Sequence, residues 1–82
     1  MKSMDDKKFE AIMTILVPQV IVLIAENTGM DEIAASRSFY ESQVYALLEQ
    51  EETKLWHLSP VSLFTMFDSE QKTGHFEIPE ET

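Results

Sequence analysis

The sequence contains no cysteine, two glycines and three prolines among its 82 residues. Without cysteine the chain can form neither a disulfide framework nor a thiolate metal site. Small secreted domains commonly depend on such cross-links, so their absence favours a reducing, cytoplasmic location. The scarcity of glycine and proline favours helices that are joined by short turns.

Positive charge is also scarce, because six lysine and arginine residues stand against fifteen acids and the net charge is −9. Residues 41–82 carry nine of these acids and two bases. A surface this negative repels phosphate backbones and anionic membranes, so we expect neither nucleic acid nor membrane binding. The charge suits solubility alone or a basic protein partner.

The length predicts one small domain over residues 1–82, with a core that is marginal unless helices pack tightly or chains self-associate. We predict an all-α bundle of three to four helices. The first helix is predicted to start near Ser3 or Asp5 and to stop at Thr28-Gly29. The predicted N-caps of the next helices are Asp31, or Met30 just before it, and Ser42. The last helix is predicted to start with Ser59 as N-cap and Pro60 at the first helical position, and to stop at Gly74. The second helix is predicted to end near Glu41 and the third near Glu52, or the two form one bent helix. Residues 75–82 are predicted to be an extended tail.

The segment from Ala11 to Ala25 is the most apolar part of the chain. As a helix it is apolar around most of its circumference, whereas a surface helix needs one apolar stripe. A second copy of the chain would bury the remaining face, and the candidate self-association residues are Ile12, Ile15, Val17, Ile21, Val22 and Ile24. We predict a kink or a break near Pro18. A buried strand at Val20–Val22 is the less favoured alternative.

Two further roles of this segment are expected to be absent. Its 15 residues span about 22 Å as a helix, short of the ~30 Å hydrocarbon core. Acids lie beside the lysines that precede it and no small-residue cleavage site follows, so a signal peptide is not expected.

Residue patterns for catalysis or cofactor binding are missing. His57 and His75 lie 18 positions apart and neither has a second ligand at helical spacing, so a metal site is less favoured than a histidine that hydrogen-bonds the backbone. No glycine-rich loop could hold a phosphate, and no serine has a nucleophile context. We expect no enzyme activity, no cofactor and no metal.

A helix-turn-helix was considered for residues 24–41, because Ala25, Gly29 and Ala35 have a spacing common at such turns. A DNA reader needs basic side chains on its second helix, and Arg37 is the one available there. DNA binding through these residues is therefore not favoured.

The stretch "EETKLWHLSP", Glu51–Pro60, contains the one tryptophan of the chain. Its aromatic neighbours at helical spacing favour core packing, and an exposed recognition surface is the alternative. The candidate residues for a partner or corner surface are Tyr40, Tyr45, Trp56 and His57.

The run "FYESQVYALLEQEETKLWHLSPVSLFTMF", from Phe39 to Phe67, resembles an uncharacterised family of short, acidic, helical bacterial proteins. The shared pattern is FYxSxxYxLL…EETKLWHxSP, and the likeness extends loosely over most of the chain. It implies a setting similar to that of an antitoxin or accessory protein that binds a basic partner encoded nearby, and it implies no catalytic residues.

Together these observations predict a non-enzymatic helical protein-interaction module that forms a homodimer or a higher homo-oligomer. The alternatives are the antitoxin-like or accessory role and the helix-turn-helix DNA binder.

Overall fold

The computed structural model describes residues 6–79, which form four α-helices and two short 3-10 turns with no strand in this range. The helices are α1 (Asp6–Thr28), α2 (Glu32–Tyr40), α3 (Gln43–Leu48) and α4 (Pro60–Thr73), and the 3-10 turns are Glu51–Thr53 and Leu55–His57. The predicted all-α bundle of three to four helices, the first of them long, is confirmed.

Three helices begin at the predicted capping residues, Asp31, Ser42 and Ser59. Each side-chain oxygen accepts a hydrogen bond from the backbone amide three residues further on, at 2.8, 3.1 and 3.1 Å respectively. Pro60 occupies the first helical position of α4, where the missing amide has no intrahelical role. Local sequence therefore determines where these helices start.

Helix α1 continues through Pro18 for 23 residues, so there is neither a break at Pro18 nor a strand at 20–22. The kink, the other outcome predicted at Pro18, stays a prediction. Pro18 lies on the exposed side, where the carbonyl group that loses its amide donor can be hydrated. The helix ends at the predicted stop, with Gly29 at a φ of +81° and its amide donating to the Ala25 carbonyl over 3.0 Å. Its predicted start at residue 3 or 5 lies outside the described residues.

Helix α3 is shorter than predicted, because it has six residues and ends at Leu48. The Thr53 hydroxyl donates to the carbonyl oxygens of Leu47 and Gln50, at 2.8 and 2.9 Å, and so satisfies groups at the helix end. Lys54 then turns the chain with a φ of +60°. Residues 49–52, predicted to continue the helix, form a turn instead.

One hydrophobic core holds the helices together, with Phe39 and Phe67 as its largest side chains. Their rings meet edge to face with centroids 5.9 Å apart. The buried apolar residues are Leu16, Val17, Val20, Ile21, Ile24, Ala35, Phe39, Val44, Leu48, Leu55, Leu58, Leu63, Met66 and Phe67. Helix α1 supplies five of them, so it is the central element of the fold.

The part of the predicted tail that the structure describes, residues 75–79, has no helix. Its start is tied to α4, because the hydroxyls of Ser69 and Thr73 donate to the His75 carbonyl over 2.9 and 3.1 Å. Phe76 packs against the core. Residues 80–82 of the predicted tail lie outside the described residues.

Candidate interaction surface

Four residues on α1 form an exposed apolar stripe that we call the α1 seam: Ala11, Ile15, Pro18 and Val22. Their spacings of four, three and four residues place them within an arc of about 60° at 100° per residue. Ile15 is 64% exposed and Val22 is 41% exposed. The opposite face of the helix carries the core residues, so α1 is apolar on both sides.

Charged and polar residues bound the α1 seam. Lys8 and Glu26 are exposed near its two ends and fall on the same helix face at 100° per residue. Between residues 6 and 79 neither side chain forms an ion pair with another residue. Beside Val22 the seam widens into a shallow groove, which is also lined by Leu23 and by Val61 at the start of α4.

The six residues predicted for self-association do not share one surface. Three of them, Val17, Ile21 and Ile24, are at most 8% exposed and belong to the core of the chain itself. A second copy cannot reach them while this core is intact, so their assignment to an interface is corrected. Ile12 is half-buried against the core, and Ile15 and Val22 remain exposed. The 15-residue apolar segment thus supplies both core residues and exposed residues, at different positions.

Helix α1 is also long and apolar enough to cross a membrane, by length and composition alone. The argument that the apolar segment is too short is wrong, because 23 residues span about 34 Å. Only 28% of its most apolar window is buried in the domain. However, a spanning α1 would remove its five residues from the core and expose the apolar faces of α2–α4 to water.

The corner around Trp56 is held together by local hydrogen bonds. The Trp56 indole N–H donates to the Glu51 carbonyl over 2.9 Å, and the ring is half-buried against the core. The exposed His57 contacts the Lys54 carbonyl through Nδ1. His57 therefore matches the predicted backbone-bonded corner histidine.

Tyr40 and Tyr45 lie next to each other, with ring centroids 4.8 Å apart in an edge-to-face arrangement. Tyr40 is half-exposed, whereas Tyr45 is half-buried and packs on Phe39. Burial raises the pKa of Tyr45, and the nearby negative charge of Glu49 adds to the increase. Among the described residues the ring contacts join Tyr40 with Tyr45 and Trp56 with His57, so the four predicted surface residues form two ring pairs.

A second open groove runs between α1 and α3 and is bounded by acids. Phe9, Met13 and Tyr45 line it, and Glu10 and Glu49 stand at its rim. We call it the acidic groove. An apolar floor with two carboxylates is suited to a long basic side chain, because the aliphatic stem can pack while the charged head is paired.

One polar contact between distant residues was missed by the sequence reasoning. The Glu70 carboxylate on α4 accepts from the amides of Gln43 and Val44, at 2.9 and 3.2 Å. Together with the Ser42 side chain, this carboxylate accepts from the backbone amides in the first turn of α3, which have no partner within the helix. Its negative charge is also favourable at this end of the helix dipole. The partners are 27 and 26 residues apart, so no local pattern could have indicated the contact.

The described residues offer little for catalysis or metal binding. Over residues 6–79 no group of three or more histidine, aspartate and glutamate side chains could hold a metal ion. The side chains of Ser42 and Ser59 cap α3 and α4, as predicted.

The chain matches no protein-family model, no curated protein and no solved structure. The resemblance of Phe39–Phe67 to short bacterial proteins therefore stays a prediction, and function has to be argued from the surface.

Proposed function

We propose that the protein is a non-enzymatic helical interaction module that self-associates through the α1 seam. The observation that carries the proposal is the joint exposure of Ile15 and Val22 on one face of the central helix. Exposed apolar residues are common on monomers when they occur singly. A continuous stripe along a helix is instead typical of a contact surface.

The other exposed apolar side chains help to define this surface. Ile33 is 75% exposed and Ile78 is 54% exposed, but each lies on a different element from the seam. Val61 is 61% exposed and lies beside Val22, so it extends the seam toward α4. A stable interface takes roughly 800 Å² from each partner, more than one helix face supplies. We therefore expect a weak, reversible dimer with a Kd that is micromolar or higher.

The test replaces one residue of the α1 seam and compares it with a matched control. In Ile15→Glu a charge enters the proposed interface, and in Ile33→Glu the same change is made at an exposed position of α2. Sedimentation velocity from 5 µM to 500 µM should give the parent and Ile33→Glu the same mass, above the 9.4 kDa of one chain. Ile15→Glu should remain at 9.4 kDa with unchanged far-ultraviolet circular dichroism.

Two results would contradict the proposal. The first is a parent protein that stays at 9.4 kDa over the whole concentration range. The second is recovery of the parent only in the membrane fraction after expression, which would assign the apolar face of α1 to lipid. Ile21→Glu is not a suitable probe, because Ile21 is buried in the chain and a charge there should unfold it.

A second candidate function is the binding of a basic protein partner, which the hypothesis of an antitoxin-like or accessory role predicts. The acidic groove favours it, since Glu10 and Glu49 border an apolar floor. A 15-residue amphipathic peptide that carries arginine should bind at low salt and bind more weakly to Glu10→Lys/Glu49→Lys. Equal weakening by Glu52→Lys/Glu77→Lys, which makes the same change in net charge at two exposed positions outside the groove, would show that only net charge matters.

A further inference from the structure

We propose that two copies pair through the α1 seam in antiparallel orientation, about a two-fold axis, with Lys8 of each copy beside Glu26 of the other. This arrangement rests on the self-association proposed above and adds its geometry. It makes the same patch of α1 serve both copies, as an isologous dimer requires.

The spacing of the exposed residues is symmetric along the helix. Reversing α1 about a point between residues 16 and 17 places Ile15 opposite Pro18 and Ala11 opposite Val22. Each pair sets a smaller side chain against a larger one, which lets the two helix faces interdigitate. The reversal also brings residue 8 opposite residue 26 to within one position, about 1.5 Å along the axis.

The charges distinguish this orientation from a parallel one. In the antiparallel pair each end of the interface joins an ammonium to a carboxylate, so two Lys8–Glu26 contacts form. In a parallel pair Lys8 of one copy would face Lys8 of the other, and Glu26 would face Glu26. Both contacts would then join like charges and would be repulsive. Both side chains are exposed and form no ion pair within residues 6–79, so they are available to a second copy.

The same charges indicate which partner binds the α1 seam. A surface with a positive end and a negative end is complementary to itself when it is reversed. A uniformly basic partner would match Glu26 but oppose Lys8. The second copy of this chain is therefore the partner whose chemistry fits both ends of the seam.

A charge exchange tests the orientation. Lys8→Glu and Glu26→Lys each turn both contacts into like-charge pairs, and we expect the dimer Kd to rise about 3- to 30-fold in each. The double variant Lys8→Glu/Glu26→Lys keeps the net charge at −9 and restores both contacts, so its Kd should return to within about 3-fold of the parent. Glu52→Lys makes the same charge change as Glu26→Lys outside the helix and should not weaken the dimer.

Cysteine cross-linking gives a second readout, and the absence of native cysteine makes it selective. Lys8→Cys and Glu26→Cys proteins are oxidised separately and as an equimolar mixture. The mixture should form a disulfide-linked heterodimer, whereas each protein alone should cross-link little, because its two thiols lie at opposite ends of the interface.

The possible failures are distinguishable. A parent dimer in which Lys8→Cys cross-links to itself as readily as to Glu26→Cys would overturn the antiparallel orientation and leave self-association intact. A dimer whose Kd is unchanged by either charge reversal would overturn the Lys8–Glu26 contact. A parent that shows no dimer at any concentration would overturn both proposals.

Discussion

At the scale of single residues, the turn between α3 and α4 depends on side chains that bond their own backbone. Trp56 donates to the Glu51 carbonyl, His57 bonds to the Lys54 carbonyl and Thr53 satisfies the end of α3. Lys54 adopts the left-handed conformation, the one non-glycine residue among positions 6–79 with a positive φ. These contacts explain the "EETKLWHLSP" motif as a structural corner, without requiring a ligand.

Truncation of Trp56 should test this role. Trp56→Ala removes a half-buried ring and the donor to the Glu51 carbonyl. We expect the free energy of unfolding to fall by about 2 kcal/mol, less than the ~3–5 kcal/mol of a fully buried tryptophan. Urea denaturation followed by circular dichroism measures the loss, because the variant has no tryptophan fluorescence.

Trp56→Phe is the companion variant, since it keeps most of the apolar contact and loses only the N–H donor. It should cost about 1 kcal/mol. If Trp56→Ala were as stable as the parent but no longer self-associated, the corner would be an interface instead of a structural turn.

At the scale of elements, α3 is the helix that depends most on a distant residue. It has six residues, too few for stability on local propensity alone. Its first turn is capped by Ser42, the residue directly before the helix, and by Glu70 from α4. The Glu70 contact therefore joins the formation of α3 to the packing of α4.

Removal of this carboxylate should loosen α3. Glu70→Ala leaves the amides of Gln43 and Val44 without their acceptor, and we expect a loss of about 1–2 kcal/mol in unfolding free energy. Hydrogen exchange should accelerate most in residues 43–48. Gln71→Ala, at an exposed neighbouring position of α4, should change stability by less than about 0.5 kcal/mol.

Helix α1 shows how one apolar sequence acquires two faces. Ile24 is fully buried and Val22 is 41% exposed, although they are two residues apart. Ile24→Ala should lower the unfolding free energy by about 2–4 kcal/mol, and Val22→Ala by less than about 1 kcal/mol at dilute concentration. Thermal denaturation at low micromolar protein checks both. Equal losses would mean that Val22 is buried too.

At the scale of the whole molecule, net charge opposes the association that the α1 seam favours. Two chains of −9 at a centre distance of about 25 Å, close to the 24 and 21 Å widths of the domain, repel each other over a long range. At 0.15 M salt the screening length is about 8 Å, and the repulsion falls to about 1 kcal/mol. At 0.01 M salt it is several times larger.

Salt should therefore strengthen the dimer. The two exposed Lys8–Glu26 contacts contribute only about 0.2–1 kcal/mol each, so their screening is outweighed by the loss of long-range repulsion. We expect the dimer Kd to fall as sodium chloride rises from 10 to 150 mM, measured by sedimentation at several concentrations. A Kd that rises over this range would show that attractive charge contacts dominate the interface.

The sequence alone determined the helices and where most of them begin and end. Asp31, Ser42 and Ser59 act through bonds that span three residues, and Gly29 and Gly74 act through their own backbone angles. Because such signals are local, they can be recognised in the sequence without a tertiary structure. The early end of α3 was missed because its Thr53 contact reaches back six residues and competes with a continuing helical pattern.

The tertiary structure decided which apolar residues of α1 are core and which are surface. Composition could not separate Ile21 and Ile24 from Ile15 and Val22, because all are aliphatic and the segment is apolar around the helix. The choice depends on where α2 and α4 pack, and on long-range contacts such as Glu70 with α3. Packing of three elements against one side of α1 leaves the opposite side to solvent, and this asymmetry produces the α1 seam.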